Sequence, residues 1–528
     1  MNKLKTYLPI IIGVCIAIGV LIGSYLNFNR STTTFLGLNN PNEAKIKRLI
    51  NYIQYDYVDK VDTDSLLDVA IKNMLSKLDP HSVYLPASQR KQIDEQMDGK
   101  FVGVGIQFLM FKDSLTVSKV IPNGPSAKAG LLPGDRILLA DKDTLFGKKL
   151  KNAFIIKTLK GEADTKVALT IYRKSDNKFI KTTVTRGEVP IKSVDAFYML
   201  NDSLGYIKLN KFTSTSYSEF KSALSQLKQE GMKSLVFDLR GNPGGYLQVA
   251  NKIADEFLEK DKLIVSTKNK GGLIEKTFAT SSGSFEKAPV YVLIDEGSAS
   301  ASEIIAGALQ DNDRGTIIGR RSFGKGLVQR EMSLGDGSSV RLTTARYYTP
   351  TGRSIQKPYN HKGNKGYFNE LEKRYHNGEL VNADSIKVVD SLKFVTPKGK
   401  IVYGGGGIVP DVFVSIDTTS FVNNYHFNYI NNFIFNYVDN HRNEFKNLDF
   451  ADFNSNFDTD NAIYNTYLKD VKRKKLPKGK LKTQLKFYLK ALFAREVFGE
   501  NKFYEIYNQK DAMINKVLEL NKAPKVTL

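Results

Sequence analysis

The sequence predicts a multidomain α/β protein. An N-terminal membrane anchor (1–30) and a helical segment (31–95) come first, then a small α+β module (96–187), an α/β core (188–415) and a helical C-terminal extension (416–528). Three observations carry this reading. The 528-residue chain is too long for one hydrophobic core. Apolar strands alternate with amphipathic helices through its middle, the pattern of a parallel sheet flanked by helices. The texture also changes along the chain, from an uncharged apolar run, through short strands broken by Gly and Pro, to a tail rich in Asn, Phe, Tyr and Lys.

Lys3 and Lys5 precede an uncharged run from Tyr7 to Leu26. Crossing a bilayer takes about 20 apolar residues, so the run is long enough. The expectation is a single-pass anchor in the inner (cytoplasmic) membrane, with the two lysines inside and everything after about Arg30 in the periplasm. The alternative is a signal peptide cut after Ser24, but the run is longer than a usual signal core. Cys15, the only cysteine, lies within the run, and Val14 before it does not suit a lipoprotein box. The exported part then has no disulfide, thiolate nucleophile or Cys metal site. The net charge of +22 comes mostly from dispersed lysines. No aromatic-basic RNA motif, helix-turn-helix signal or zinc-finger spacing accompanies it, so no nucleic-acid partner is expected. Attraction to an anionic membrane surface fits better.

From Asn42 to about Leu78, "AKIKRLINYIQYDYV" and "DSLLDVAIKNMLSKL" carry apolar residues at helical spacing, and "LDPHSVYLP" ends the region with Pro80 and Pro86 as helix breakers. In the next module "FVGVGIQF", "LTVSKVI", "RILLADKD" and "KVALTIYR" read as strands and "LKNAFIIKTL" as a helix. The module resembles a PDZ domain at three linked points: "GVGI" (Gly103, Val104, Gly105, Ile106), "PSAKAGLLPGDRIL" and "GEADTKVALTIYR". Glycines let successive N–H groups point into one concavity that can hold a terminal carboxylate. An extended peptide can then add as a strand beside Ile106 and Phe108. Alone, "GVGI" would be a glycine-relieved strand start.

In the core, "SLGYIKLNKF" and "SLVFDLR" read as strands, and "SYSEFKSALSQLKQEG" and "QVANKIADEFL" as helices. "APVYVLI" is a buried strand that runs through "DEGSASAS" into the helical "SEIIAGALQ". "GTIIGRRSFGKGLVQREMSLGDGSSVRLTTARYYTPTGRSI" then reads as strands with a tight "GDGS" turn. The tail is largely helical in pattern and carries no motif.

Three stretches of the core could carry chemistry. "SASAS" is a small-residue strand-to-helix junction that lets another backbone approach and presents hydroxyls and N–H groups at a helix N-terminus. Its plain reading is a cap, with Ser302 as N-cap and Glu303 in the first turn. "DLRGNPGGYL" puts unpaired N–H groups at a helix start, where an oxyanion could be stabilised; a phosphate loop is the rival, but it lacks the Walker ending. In "RSFGKGLVQ", Lys325 stands between two glycines. A buried lysine falls from its usual pKa of about 10.4 and can act as a base. On an extended strand Lys325 and Gln329 would be about 13 Å apart, so contact needs a curled loop. The plain reading of "GKG" is an exposed turn lysine. The five histidines are His81, His361, His376, His426 and His441, so a Ser-His-Asp triad would need one from a distant segment. No "GxSxG", "HExxH" or convincing His cluster is present.

Taken together, "DLRGNPGG", "SASASEIIAGALQD" and "GRRSFGKGLVQ" behind a PDZ-like module resemble the C-terminal processing peptidases, or tail-specific proteases, as do "LDPHSVYLP" and "YYTPTGRSIQ". The resemblance covers roughly residues 42–415. It implies an α/β serine protease core of crotonase-like type, with Ser300 as nucleophile, Lys325 as base and Gln329 orienting the lysine. It implies oxyanion donors from the backbones of Gly245 and Ala301, and a PDZ loop (Gly103 to Ile106) that binds the peptide C-terminus. It calls for no metal or cofactor. The partners it implies are protein or peptide substrates with exposed C-terminal tails, with membrane contact through the anchor and homo-oligomerisation left open. Arg320 and Arg321 depart from the family pattern and are expected to alter substrate preference. A non-catalytic PDZ scaffold or chaperone is the alternative, but it would need none of Ser300, Lys325 and Gln329. An acyl-CoA enzyme would share the glycine-rich oxyanion loop but not the PDZ module or the Ser/Lys pair.

Overall fold

The computed structural model describes residues 13, 14, 16–18, 41–147, 150–359, 366–418, 422, 424–471 and 479–522. Most of the run from Tyr7 to Leu26 lies outside them, and the expected anchor with it. Among the described residues no helix is long and apolar enough to cross a membrane. The chain divides into two compact units, 1–74 and 75–528. In the first, α1 (Pro41–Tyr55) buries none of its residues, and Ile46, Leu49 and Tyr52 are exposed. It is followed by α2 (Thr63–Leu75).

The second unit opens with β1 (Val83–Leu85) and α3 (Ala87–Asp98). Pro86 therefore precedes a helix rather than ending one, because proline suits a helix start. α3 stops at Gly99, whose φ of 72° is the left-handed stop that glycine allows. β2 (Lys100–Gly103), β3 (Ile106–Phe111), β4 (Ser114–Val120), α4 (Pro125–Lys128), β5 (Asp135–Ala140) and β6 (Asp143–Thr144) follow. Next come α5 (Asn152–Leu159), β7 (Lys166–Arg173), β8 (Lys178–Thr185) and β9 (Gly187–Pro190). The sheet runs β3-β4-β5-β7-β8, with β6 on β5 and β2 paired to β9. Alternate residues of β4, β5 and β7 bury Leu115, Val117, Ile137, Val167 and Ile171 in the module's own core. β3 stands at the sheet edge.

The core contains β10 (Val194–Met199), β11 (Leu204–Leu209), α6 (Ser216–Gln229), β12 (Ser234–Asp238), α7 (Leu247–Asp255), β13 (Leu263–Asn269) and β14 (Ile274–Phe278). It continues with β15 (Val290–Ile294), α8 (Ala301–Asp311), β16 (Thr316–Gly319), β17 (Leu327–Ser333), β18 (Ser339–Tyr348) and α9 (Glu370–His376). β19 (Lys393–Val395), β20 (Ile401–Tyr403) and β21 (Val412–Phe413) complete it. The main sheet runs β10-β11-β12-β15-β16-β21, parallel from β11 onward. A second sheet runs β1-β18-β13-β14, with β17 on β18.

β12 and β15 are buried at every residue, so both faces of the main sheet must be covered. Residues of α6, α7 and α8, among them Phe220, Ile253 and Ile305, pack one face. The C-terminal extension supplies the other. Its α10 (Asn424–Asn440), α11 (Arg442–Phe445), α12 (Phe450–Asn456), α13 (Ala462–Asp470) and α14 (Gly479–Phe498) surround a core that includes Phe433, Tyr467 and Phe493. α15 (Glu500–Tyr507) packs on β10, and α16 (Ala512–Lys522) seats Met513, Ile514 and Val517 against Tyr206, Val236 and Ile318.

Candidate active site

Three loops leave the C-terminal ends of adjacent parallel strands: Leu239 to Tyr246 after β12, Asp295 to Ser300 after β15, and Arg320 to Gly326 after β16. Ligand sites in open α/β sheets form at this edge, where the loops converge. Here they carry "GNPGG", "SASAS" and "FGKG".

The three serines of "SASAS" have different surroundings. Ser298 is buried and donates to Leu239 O (2.8 Å). Ser302 is also buried and donates to Asn242 O (2.9 Å), so it stitches two loops together and is not the N-cap. The helix starts two residues earlier than expected, and Ser300 occupies the N-cap position. Ser300 is half-buried, with φ 55° and ψ −111°, a backbone region that side chains other than glycine's rarely occupy. Its carbonyl accepts from the buried Tyr347 hydroxyl at 3.2 Å. Gly244 explains the close packing: a Cβ there would lie 2.8 Å from Ser300 Cβ and 2.9 Å from Ala301 N.

Ala301 N sits at the first position of α8, and Gly245 N lies just before α7. Neither donates a hydrogen bond within the described residues. Gly245 has φ 152°, and a Cβ on it would meet Phe212 O at 2.0 Å, so the loop bends there only with glycine.

Lys325 is half-buried, and its Nζ donates to Gln329 Oε1 at 3.0 Å. Gly324 (φ 88°) curls the loop, and the ladder of β17 with β18 slips between Val328 and Gln329. Such an irregularity re-aims a side chain, and together these turns close the gap an extended strand would leave. Burial, reinforced by Arg341, pushes the Lys325 ammonium below its ordinary range, while Glu303 and Asp79 oppose the shift. The Gln329 amide in turn donates to the carbonyl of His81.

Glu303 joins the two loops. Fully buried, its Oε2 accepts from Ser300 N and from Lys325 N (each 2.8 Å), and its Oε1 from Gly324 N (2.7 Å) and Ser322 Oγ (2.5 Å). Burial raises its pKa, and the four donors pull the other way. The sequence marked Glu303 only as a first-turn acid. Nothing local reveals that three of its four partners lie 19 to 22 residues away.

"LDPHSVYLP" also belongs to the site. Asp79 Oδ1 accepts from the N–H groups of His81 (2.8 Å) and Ser82 (2.9 Å) and from Thr343 Oγ1 (3.1 Å), which fixes the turn to β18. His81, the distant histidine a triad would have needed, does reach the neighbourhood. Its ring Nε2 meets Tyr367 OH at 2.9 Å, and burial with the nearby Lys325 lowers its pKa to about 4, so the ring is neutral. Arg320 and Arg321 are both buried, in ion pairs with Glu296 (2.7 Å) and Glu379 (2.6 Å).

In the PDZ-like module, the Val104 and Gly105 N–H groups donate to nothing within the described residues. Gly105 has φ 78°, and Ile106 begins the edge strand β3. Val104 contributes backbone only, since its side chain is buried in the module's core.

Residues 203–361 match peptidase family S41, 102–184 the PDZ domain, 28–88 the N-terminal domain of the activating protease CtpB, and 422–499 a family of unknown function. The carboxy-terminal-processing protease of Bartonella bacilliformis is 38% identical over 317 residues, covering 59% of this chain and 72% of that protein. The carboxy-terminal processing protease CtpB of Bacillus subtilis is 36% identical over 317 residues, 59% of this chain and 65% of that one. A solved structure of a photosystem II D1 C-terminal processing protease aligns at a TM-score of 0.37 and 26% identity, over 71% of this chain and 88% of that one. The chain is a serine-type peptidase with a PDZ domain and belongs to the carboxy-terminal processing proteases of family S41.

Proposed function

We propose that the protein is an endopeptidase in which Ser300 is the nucleophile and Lys325 the general base. One observation carries this assignment: a single oxygen of Glu303 accepts from the backbone N–H groups of both residues, while Gln329 holds the lysine amine. In acylation the neutral Lys325 amine takes the Ser300 proton as Oγ bonds to the scissile carbonyl carbon. The oxyanion turns to the N–H groups of Gly245 and Ala301. The C–N bond then breaks, and the Lys325 ammonium returns its proton to the leaving amine. A water attacks the ester, gives its proton to Lys325, and releases the acid product as Ser300 recovers its hydrogen.

Ser300→Ala and Lys325→Ala are each expected to abolish casein cleavage in the purified protein, with circular dichroism unchanged and with no sensitivity of the parent protein to chelators. Near-normal turnover in Lys325→Ala would refute the dyad. Activity rises with pH as the amine loses its proton. Because burial depresses that pKa, the midpoint falls below the usual lysine range.

The PDZ module selects substrates by their tails. A free carboxylate fits the unpaired N–H groups of Val104 and Gly105, with Gly103 and Ile106 at either side, and the open edge of β3 accepts the chain as an added strand. Peptides ending in a free carboxylate after apolar residues should be cleaved faster than their amides, and equal rates would remove this role. We place the catalytic part in the periplasm, anchored by residues 7–26, because Lys3 and Lys5 precede that run and Arg30 alone closely follows it. Protease added to spheroplasts should digest the chain, and full protection would overturn the placement.

A further inference from the structure

The segment around α9 falls between the stretches matched to known families, 203–361 and 422–499. It lies over the loop that carries Lys325. Arg374, 3% exposed, donates to three successive carbonyls of that loop: Arg321 O (3.2 Å), Ser322 O (2.8 Å) and Phe323 O (3.5 Å). Its own charge is met by Glu370 (3.1 Å). Glu370 also takes the Lys357 ammonium at 2.7 Å. Lys357 lies 3.8 Å from the ring centroid of Phe323 and 4.2 Å from that of Tyr367, a buried cation between two aromatic faces.

Tyr367 works from the other side. Its hydroxyl meets His81 Nε2 at 2.9 Å and Gln356 Nε2 at 3.2 Å. Gln356 Oε1 accepts from Gly326 N at 2.8 Å, and the His81 carbonyl accepts from the Gln329 amide. Lys325 is therefore held at its N-terminal side by the carbonyls on Arg374, and at its C-terminal side by the chain from Tyr367 through Gln356. The group that holds its amine, Gln329, is oriented through His81.

We propose that Arg374 and Tyr367 are positioning residues for the reaction, which clamp the Lys325 loop and keep its amine on Gln329 and away from water. The proposal deepens the dyad assignment and rests on it. Carbonyls aimed at a guanidinium fork fix a loop in a way that packing alone does not, since the donors select one backbone orientation. A base held this way meets the serine proton without reorganising.

Besides burial, the charges that shift the proton affinity of Lys325 are Arg341 on β18, Glu303 on α8 and Asp79 ahead of β1, while the neighbouring His81 ring is itself held neutral by burial and by Lys325 and Lys357. None of these charges changes in Tyr367→Phe. Loosening the clamp admits water to the amine. That relieves the burial that depresses its pKa, so the rising limb of the pH–rate profile moves to higher pH.

The test is casein cleavage across pH by the full chain, with Tyr367→Phe, Arg374→Gln, Arg374→Lys and Lys325→Ala compared at equal folded concentration. Tyr367→Phe should lower kcat about 10-fold with KM unchanged and move the midpoint of kcat/KM up by about half a unit or more. Arg374→Gln should do the same or more, and Arg374→Lys, which keeps the charge but loses the fork, should not restore it. A purely structural role would reduce the folded fraction without moving the midpoint. An unmoved midpoint in Tyr367→Phe, with Lys325→Ala inactive, overturns the clamp alone. An active Lys325→Ala overturns the base assignment and the clamp with it.

Discussion

Two buried carboxylates each gather several donors, and they do so with opposite consequences. Glu303, between the Ser300 and Lys325 loops, accepts only from three backbone N–H groups and one hydroxyl. Asp439, where the C-terminal extension meets the PDZ module, accepts from cations: Arg136 (2.5 Å to Oδ2 and 3.1 Å to Oδ1), Lys174 (3.4 Å) and Arg442 (3.3 Å). Burial raises the Glu303 pKa, whereas the cations, Arg136 foremost, overcome burial and hold Asp439 below the usual carboxylate range. Neutral donors fix geometry without bringing a compensating positive charge beside the lysine. Cationic donors fix one domain to another and leave little net charge behind. The first arrangement suits a reacting site, the second a joint.

The largest effect should separate the two in activity. In Glu303→Gln the amide nitrogen faces a backbone N–H on whichever side it turns, Ser300 N and Lys325 N on one and Gly324 N on the other, so at least one of the four contacts becomes a clash of donors. A loop shift of about 1 Å at a reacting centre brings about a 10²-fold loss of rate, and kcat/KM for casein should fall at least that far with little change in thermal unfolding. A variant within 3-fold of the parent protein would remove Glu303 from the organisation of the site.

Asp439→Asn should instead act on stability. It leaves Arg136, Lys174 and Arg442 facing one another, and removing one partner of a buried ion pair costs about 3 kcal/mol. The folded Asp439 is depressed, so its contribution is present above the unfolded carboxylate pKa of about 4 and is lost as pH falls through the lower folded value. The gain in denaturant midpoint between pH 3 and pH 6 should therefore be smaller in Asp439→Asn than in the parent protein. Equal gains would mean that the joint is held by packing, such as the Phe111–Phe435 ring contact, and not by charge. The smallest change belongs to Arg442→Gln. Arg442 is the most exposed of the guanidinium partners and keeps 27% of its side-chain surface, so it should cost no more than about 1 kcal/mol in the same unfolding measurement.

The sequence made the parallel core legible because its strands are continuously apolar and its helices amphipathic. The PDZ-like module was legible because Gly and Pro punctuate strands of period two. Elements without an apolar stripe escaped. α3 buries no residue, and β14 exposes four of its five. The extension was readable as helical, but its function as the second face of the main sheet was not, since a helix does not encode its partner. That cover was nevertheless implied by strands such as Val290–Ile294, which are apolar on both sides. At the site, the motif residues could be located and their supports could not. Gln329 finds His81 across 248 positions, and Tyr347 reaches Ser300 from another sheet. The ion pairs of Arg320 and Arg321 were equally hidden, because their acidic partners, Glu296 and Glu379, are brought in only by the fold.

The backbone angles at Ser300 bear on how this protein balances durability against readiness. A serine held at φ 55° and ψ −111° keeps about 1–3 kcal/mol of conformational strain that only the surrounding contacts sustain. Alanine at this position inherits the strain, whereas glycine relaxes it and gives back about 1 kcal/mol or less through the greater freedom of its unfolded chain. Ser300→Gly should therefore be harder to unfold than Ser300→Ala, although the proposed dyad makes both inert. Selection for turnover would then have kept this protein below the stability its own fold could reach.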